Sequence, residues 1–365
     1  MTCARSLRWL FWRRCCRLGS SCPARPKQAV IDWVKPVITG IGIAGVPVGS
    51  TRTIGSAGTA IVGTIDISSS PAALRPTGRR VDKRASSVPL LDNRDCTAFL
   101  QWALAQRDFR WLGFRKVRRQ VCKRLNRRIR ELGLEDFVAY RRRLEADPAE
   151  WRAFDECCPI TISRFYRDRS VFEALRRLAL PDIAARAACE RRATRIWSVG
   201  CASGEEPYTL KIIWDSDIAP SFPDTPVAIL ATDIDETALA RAHRGCFEPT
   251  SLRELPSHLV ALAFDRVGAL YCIKPKHREG IEFLKQDLRR ETPGVRFDLI
   301  LCRYVAFTYF ADALQRQVLM SLTHRLAAHG YLVIGTHERL PSVEPALEPL
   351  PGTPQIFKLV MPAEH

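Results

Sequence analysis

Residues 195–210 read RIWSVGCASGEEPYTL, and residues 227–235 read VAILATDID. Each opens on a short apolar run rich in β-branched and aromatic residues, the pattern of a strand buried on both faces. The first passes through Gly200 and Gly204 into a segment patterned as a helix; the second ends on Asp233-Ile234-Asp235. A glycine-containing turn between a buried strand and a helix lets backbone approach a ligand closely. An acid closing the second strand suits ribose hydroxyls, while Asp235 equally suits a helix N-cap. The turn is not GxGxxG and no phosphate-binding lysine follows it, so a nucleoside-type cofactor fits better than a phosphate cradle.

Working outward, the same alternation recurs. Strands are expected at 195–200, 227–233, 281–286, 297–303, 331–336 and 355–360, and helices at 205–219, 235–244, 251–262 and 311–328. Strands alternating with helices predict an α/β fold with a doubly wound parallel sheet. Such sheets bind ligands beyond the carboxyl ends of the strands, where the strand order reverses. Upstream, residues 95–107, 115–132, 135–146 and 148–157 read as short amphipathic helices. Between Lys116 and Arg130 eight basic residues surround Val117, Val121, Leu125 and Ile129, which recur at intervals of four and form one apolar stripe. The arginines then lie on the outer faces, either as an ordinary solvated surface or as a docking face for an acidic partner.

The 365 residues allow two ordinary domains. The formal charge of +17 is unevenly placed: about +11 in residues 1–89, about +6 in 90–150 and about zero in 151–365. A basic helical part beside a neutral body suggests an anion-facing accessory module. The 13 cysteines include no CxxC pair and no histidine at zinc spacing. Reduced, mostly buried thiols in a cytoplasmic protein are therefore expected, without a metal. The apolar stretch Leu7 to Trp12 is too short to span a bilayer, and Pro47 and Arg52 interrupt the run at 36–67. Residues 1–90 are read as a disordered or spurious extension.

At this point the residues carry a resemblance. WSVGCASGEEPYTL, then ATDID and ARAHRGCFEP, resembles the cofactor-binding core of the chemotaxis-receptor glutamate methyltransferases, the CheR type. ITISRFYRDRSVF resembles the family's junction segment, and LKQDLRR and FDLILCRYVAFTYF its third and fourth strand ends. RKVRRQVCKRLNRRIRELGLEDFVAYRRRLEAD is similar to its helical domain, so the likeness covers about residues 92–360. It implies a Rossmann-like class I methyltransferase sheet at 159–365, preceded by a small all-helical domain at 91–158. A small insertion at about 248–280 resembles the family's antiparallel subdomain.

The implied cofactor is S-adenosylmethionine, with S-adenosylhomocysteine as product. By the resemblance, Thr161, Ser163 and Arg167 occupy cofactor-contacting positions, as do Gly200 in the turn and Glu205 at the methionine end. Asp233 would hold the ribose, Asp287 and Leu288 the adenine, and Arg303 and Tyr304 follow the fourth strand. Tyr309 falls in the family's tyrosine position near the methyl group. Two departures stand out: Thr161 and Tyr304 each replace an asparagine usual in the family.

A glutamate acceptor has a reference pKa near ~4.3 and is already an anion at pH 7, so alignment rather than a strong base would carry the reaction. Arg167 would position the carboxylate, or clamp the cofactor's own carboxylate, or cap a helix; Tyr309 would donate to the carboxylate or shape the methyl pocket. The expected partner is an acidic, receptor-like protein helix, with the chain monomeric, without a membrane span, and nucleic acid disfavoured. Two readings compete with protein-glutamate methylation: another acceptor, a small molecule or RNA, and a non-catalytic cofactor-binding relative.

Overall fold

The computed structural model describes residues 93–341 and 346–360. The expectations for residues 1–90 lie outside the described residues.

The chain begins with helices α1 (Asn93–Ala105), α2 (Trp111–Phe114), α3 (Arg118–Glu131), α4 (Phe137–Ala146) and α5 (Glu150–Cys157). The apolar stripe of α3 does what its spacing predicts: Val121, Leu125 and Ile129 are fully buried among Leu100, Leu104, Tyr140 and Phe154. The polar side of this small core is closed by Glu150. It accepts from the Tyr140 hydroxyl at 3.0 Å and from Nε and Nη2 of Arg128 at 2.9 and 2.7 Å. Asp136 caps α4 by accepting from the Ala139 amide at 2.7 Å, satisfying a donor that the helix itself leaves open.

The second part is a seven-stranded sheet of order β6-β2-β1-β7-β8-β10-β9. β1 (Thr194–Val199), β2 (Val227–Asp233), β6 (Ile281–Lys285), β7 (Phe297–Cys302) and β8 (Leu326–Val333) run parallel, and β10 (Thr353–Leu359) is antiparallel to both β8 and β9 (Leu347–Leu350). All six residues of β7 are buried, as expected of a strand covered on both faces. β1 pairs with β2 on one side and β7 on the other, so the order reverses at the carboxyl ends of β1 and β7. The doubly wound α/β expectation holds.

Three details differ from the sequence reading, the first being that the sheet is mixed rather than wholly parallel, since β9 and β10 join its edge through antiparallel pairing. The helix expected over 251–262 is a 3-10 turn, Pro249–Leu252, followed by a helix at Ser257–Ala263. Pro256 stands between them and cannot continue a helix from its amino side. Around these lies a three-stranded antiparallel sheet, β3-β5-β4, made from Cys246–Phe247, Leu270–Ile273 and Phe264–Val267. The expectation of reduced thiols throughout is also corrected. Cys96 bonds to Cys122, joining α1 to α3, and Cys246 bonds to Cys272 across β3 and β5. Spacing alone did not bring these four together; helix packing and strand register did. Among the described residues, no helix is long and apolar enough to cross a membrane, and no three His, Cys, Asp or Glu side chains cluster as a metal site.

Candidate active site

A cavity of about 250 Å³ opens at the carboxyl ends of β1, β2 and β7, the place the sheet order dictates. Gly200 ends β1 with φ 69°, and a Cβ there would lie 2.2 Å from Cγ2 of Val305, which lines the cavity. Only glycine allows both the turn and that approach. The Asp233 carboxylate, at the end of β2, lines the cavity and accepts from the amides of Ala202 and Asp235 at 2.8 and 2.9 Å. Burial pushes its pKa up while those amides pull it down. Asp235 is the N-cap of the following helix, Glu236–Arg244, accepting from Thr237 and Ala238 amides at 2.9 and 3.1 Å. The two acids of the ATDID string thus divide: one faces the cavity and the other caps a helix.

Thr161, Ser163, Arg167, Asp287, Leu288, Arg303, Tyr304 and Tyr309 all line the cavity as well. Glu205 does not; its neighbour Glu206 does. Glu205 is buried, with Oε2 lacking a partner, and burial pushes its pKa up against support from its own backbone and from Ser163. The sequence reading missed Glu206, which accepts from Arg303 at 2.7 Å and from the Ser198 hydroxyl at 2.8 Å. It also missed Gln286, a cavity-lining side chain whose buried Oε1 has no partner. Gln286 sits inside the quoted LKQDLRR string, one residue before Asp287, and only the strand's end geometry singles it out.

Arg303 is the buried hinge of the polar wall. Its guanidinium donates to Glu206, to Asp168 Oδ2 at 2.8 Å and to the Arg167 carbonyl at 2.7 Å. Burial opposes the charge on Asp168, but Tyr304 and Arg303 together hold its pKa below the usual carboxylate range. Tyr304 adopts φ 57°, and its phenol donates to Asp168 Oδ2 at 2.6 Å. The sequence reading missed Glu338, which secures that backbone. It is buried, and its Oε2 accepts from the Tyr304 and Gly335 amides at 2.8 and 2.7 Å while its Oε1 accepts from the Thr308 hydroxyl at 2.6 Å.

The helical part completes the cavity. Phe109 and Phe114 line it, and the rings of Phe114 and Tyr309 stand 4.9 Å apart. The Arg110 amide donates to the Tyr309 carbonyl at 2.8 Å, and Phe109 bridges Phe310. Burial pushes the Tyr309 phenol up to about 12. Asp155 of α5 accepts from Arg107 and Arg289, and Arg289 also grips Asp287. A second, wider cleft of about 1320 Å³ lies beside the first and shares Asp155, Thr161, Ile234, Asp287 and Arg289 with it. Arg124, Arg127 and Arg128 of α3 line its far side.

The unpartnered acceptor of Gln286, the Asp233 carboxylate and the apolar Ile234 and Leu288, all lining the cavity, fit S-adenosylmethionine. Acceptors for ribose and base between apolar flanks are what that molecule needs.

Residues 161–356 match the family described as "CheR methyltransferase, SAM binding domain", and residues 116–156 match "CheR methyltransferase, all-alpha domain". The chain is 32% identical over 204 residues to the "Chemotaxis protein methyltransferase" of Listeria monocytogenes, covering 56% of this chain and 75% of that one. It is 31% identical over 225 residues to the "Chemotaxis protein methyltransferase 2" of Pseudomonas aeruginosa, covering 60% and 77%. An uncharacterized 104.1 kDa protein of Rhodobacter capsulatus is 28% identical over 242 residues, which span 66% of this chain but a quarter, 25%, of that relative.

Proposed function

The chain belongs to the CheR methyltransferase family, and from that premise we propose that it methylates a glutamate side-chain carboxylate on a signalling, receptor-like protein. The observation that carries the reading is Arg167 at the wall of the cavity, hydrogen-bonded to the Ile162 carbonyl and not ion-paired to a carboxylate among the described residues, beside a wide cleft lined by arginines of α3. A guanidinium fork suits a carboxylate, and the cleft suits an acidic helix.

When bound, S-adenosylmethionine supplies a methyl group on a sulfonium, open to in-line displacement. The acceptor carboxylate is an anion at neutral pH, so the chain has no proton to remove. What its residues do is hold and align. Asp233 and Gln286 would fix the cofactor by its polar groups. Arg167 would present the acceptor oxygen, and the Tyr309 phenol, neutral at pH 7, would act as donor or wall but not as base. Phe109 and Phe114 exclude water from one side of the cavity. Alignment of two reactants is worth on the order of 7–11 kcal/mol, which makes such a sparse site sufficient. The proposed setting is the cytoplasm, where the two disulfides would have to withstand a reducing environment.

The test is the chemistry of the product. The full chain is incubated with methyl-labelled S-adenosylmethionine and an acidic helical receptor fragment. Label released by mild base as volatile methanol identifies a carboxyl ester and supports the reading. Base-stable label, or label transferred only to added RNA or a small molecule, would overturn it.

A further inference from the structure

Tyr304 has a position that a cofactor contact does not explain. Its backbone sits in the left-handed region at φ 57°, which a bulky residue adopts only when its surroundings enforce it. The Glu338 carboxylate supplies the enforcement by holding the Tyr304 and Gly335 amides together. The ring lies against Gly335, where a Cβ would fall 2.7 Å from Cε1 and 2.8 Å from Cζ. The phenol is committed at both ends of its capacity: it donates to Asp168 at 2.6 Å, stands 2.8 Å from the Thr336 hydroxyl and accepts from the Thr336 amide at 3.2 Å. Over the ring face, 4.0 Å from its centroid, stands the Arg167 guanidinium. Among the described residues the Arg167 side chain makes one hydrogen bond besides, Nη1 to the Ile162 carbonyl at 2.6 Å.

We infer that Tyr304 is a positioning residue whose ring fixes the Arg167 guanidinium at the cavity wall and so sets the approach of the acceptor carboxylate. A long arginine side chain carries much rotamer freedom, and ordering it in advance removes a cost from every binding event. An aromatic face does this without neutralising the cation. A carboxylate partner would hold Arg167 as firmly but would consume the fork. Asp168 is present, yet it is taken up by Arg303 and the Tyr304 phenol. The inference rests on the acceptor being a carboxylate.

The experiment compares Tyr304→Phe, Tyr304→Leu and Gly335→Ala in the full chain by three readouts. The first is the guanidinium NMR signal of Arg167 in arginine-labelled protein, assigned by its loss in Arg167→Lys. The second is S-adenosylhomocysteine affinity by calorimetry. The third is the split between KM and kcat for an acidic helical peptide. In the parent protein the Arg167 signal should be ring-current shifted; Tyr304→Phe keeps the shift, while Tyr304→Leu and Gly335→Ala lose it. Acceptor kcat/KM should fall about threefold in Tyr304→Phe and about tenfold or more in Tyr304→Leu, mainly through KM, with S-adenosylhomocysteine affinity within about threefold of the parent. Cofactor affinity falling in step with turnover, equal losses in the Phe and Leu variants, or an unshifted Arg167 signal in the parent would each overturn the assignment. The NMR readout needs no turnover. A parent that methylates no carboxylate would therefore refute the proposed function, while the signal still decides whether the ring holds Arg167.

Discussion

Asp155, in the last turn of α5, accepts a hydrogen bond at 3.0 Å from Arg289, which follows β6 on the far side of the cavity. The same carboxylate takes both Nε and Nη2 of Arg107, at 3.1 and 2.7 Å. One acid of the helical part therefore joins it to the sheet, and through Arg289 steadies Asp287.

Asp155→Ala leaves Arg289, 12% exposed, and Arg107, 27% exposed, without this partner. Truncating one member of a largely buried charged network costs about 3 kcal/mol, which should appear as a lower midpoint in urea unfolding. The pH dependence has a definite sign. Burial opposes the charge on Asp155, but Arg107 and Arg289 hold its folded pKa below the usual value. Its contribution is thus fully present above the ordinary carboxylate range, near ~4, and is lost as pH falls through the depressed folded value. Stability measured from pH 7 to pH 3 should fall less steeply in Asp155→Asn than in the parent.

Asp235 and Asp233 should separate cleanly. Asp235→Ala removes an N-cap with two amide bonds and should cost about 1 kcal/mol of stability. S-adenosylhomocysteine affinity should stay within about twofold, because an N-cap supports the helix and not the ligand.

The two disulfides among the described residues each close a loop of 26 residues, for which chain entropy predicts about 3.5 kcal/mol apiece. Reduction should lower the melting temperature of the parent. A Cys246→Ser, Cys272→Ser double variant keeps Cys96–Cys122 but loses the other bridge, so its reductant-induced shift should be smaller.

The outer face of α3 should announce itself through salt. Arg124, Arg127 and Arg128 line the wide cleft, Arg127 largely exposed and the other two half-buried, and charges at a surface are screened over about 8 Å at physiological ionic strength. Raising salt from 50 to 300 mM should raise the acceptor KM several-fold while leaving cofactor affinity nearly unchanged. Equal sensitivity of both would make this face an ordinary solvated surface.

What was legible in the sequence follows physical scale. β1, β2 and β7 were readable because each is an apolar run covered on both faces, and the run itself is the signal. The α3 stripe was readable because its period survives eight charges. β3 is two residues long, too short to carry any period, and the helix expected across Pro256 was broken by it. At the site, nine of the ten positions that the resemblance implies for the cofactor line one cavity. Glu205 falls outside that lining and Glu206 within it, adjacent residues whose facing is set by where the helix begins. Glu338 and Gln286 follow strands without a local pattern, so their roles come from side chains and amides that the fold brings near. The disulfides were illegible for the same reason, since strand register sets Cys246 opposite Cys272.

The central claim is that the cavity at the ends of β1 and β2 holds S-adenosylmethionine through Asp233. It is tested most directly by titrating the full chain with S-adenosylhomocysteine in a calorimeter, alongside Asp233→Ala and Asp235→Ala. The account predicts saturable binding in the parent and in Asp235→Ala, and none measurable in a folded Asp233→Ala. Undiminished binding by Asp233→Ala, or none by the folded parent, would contradict it.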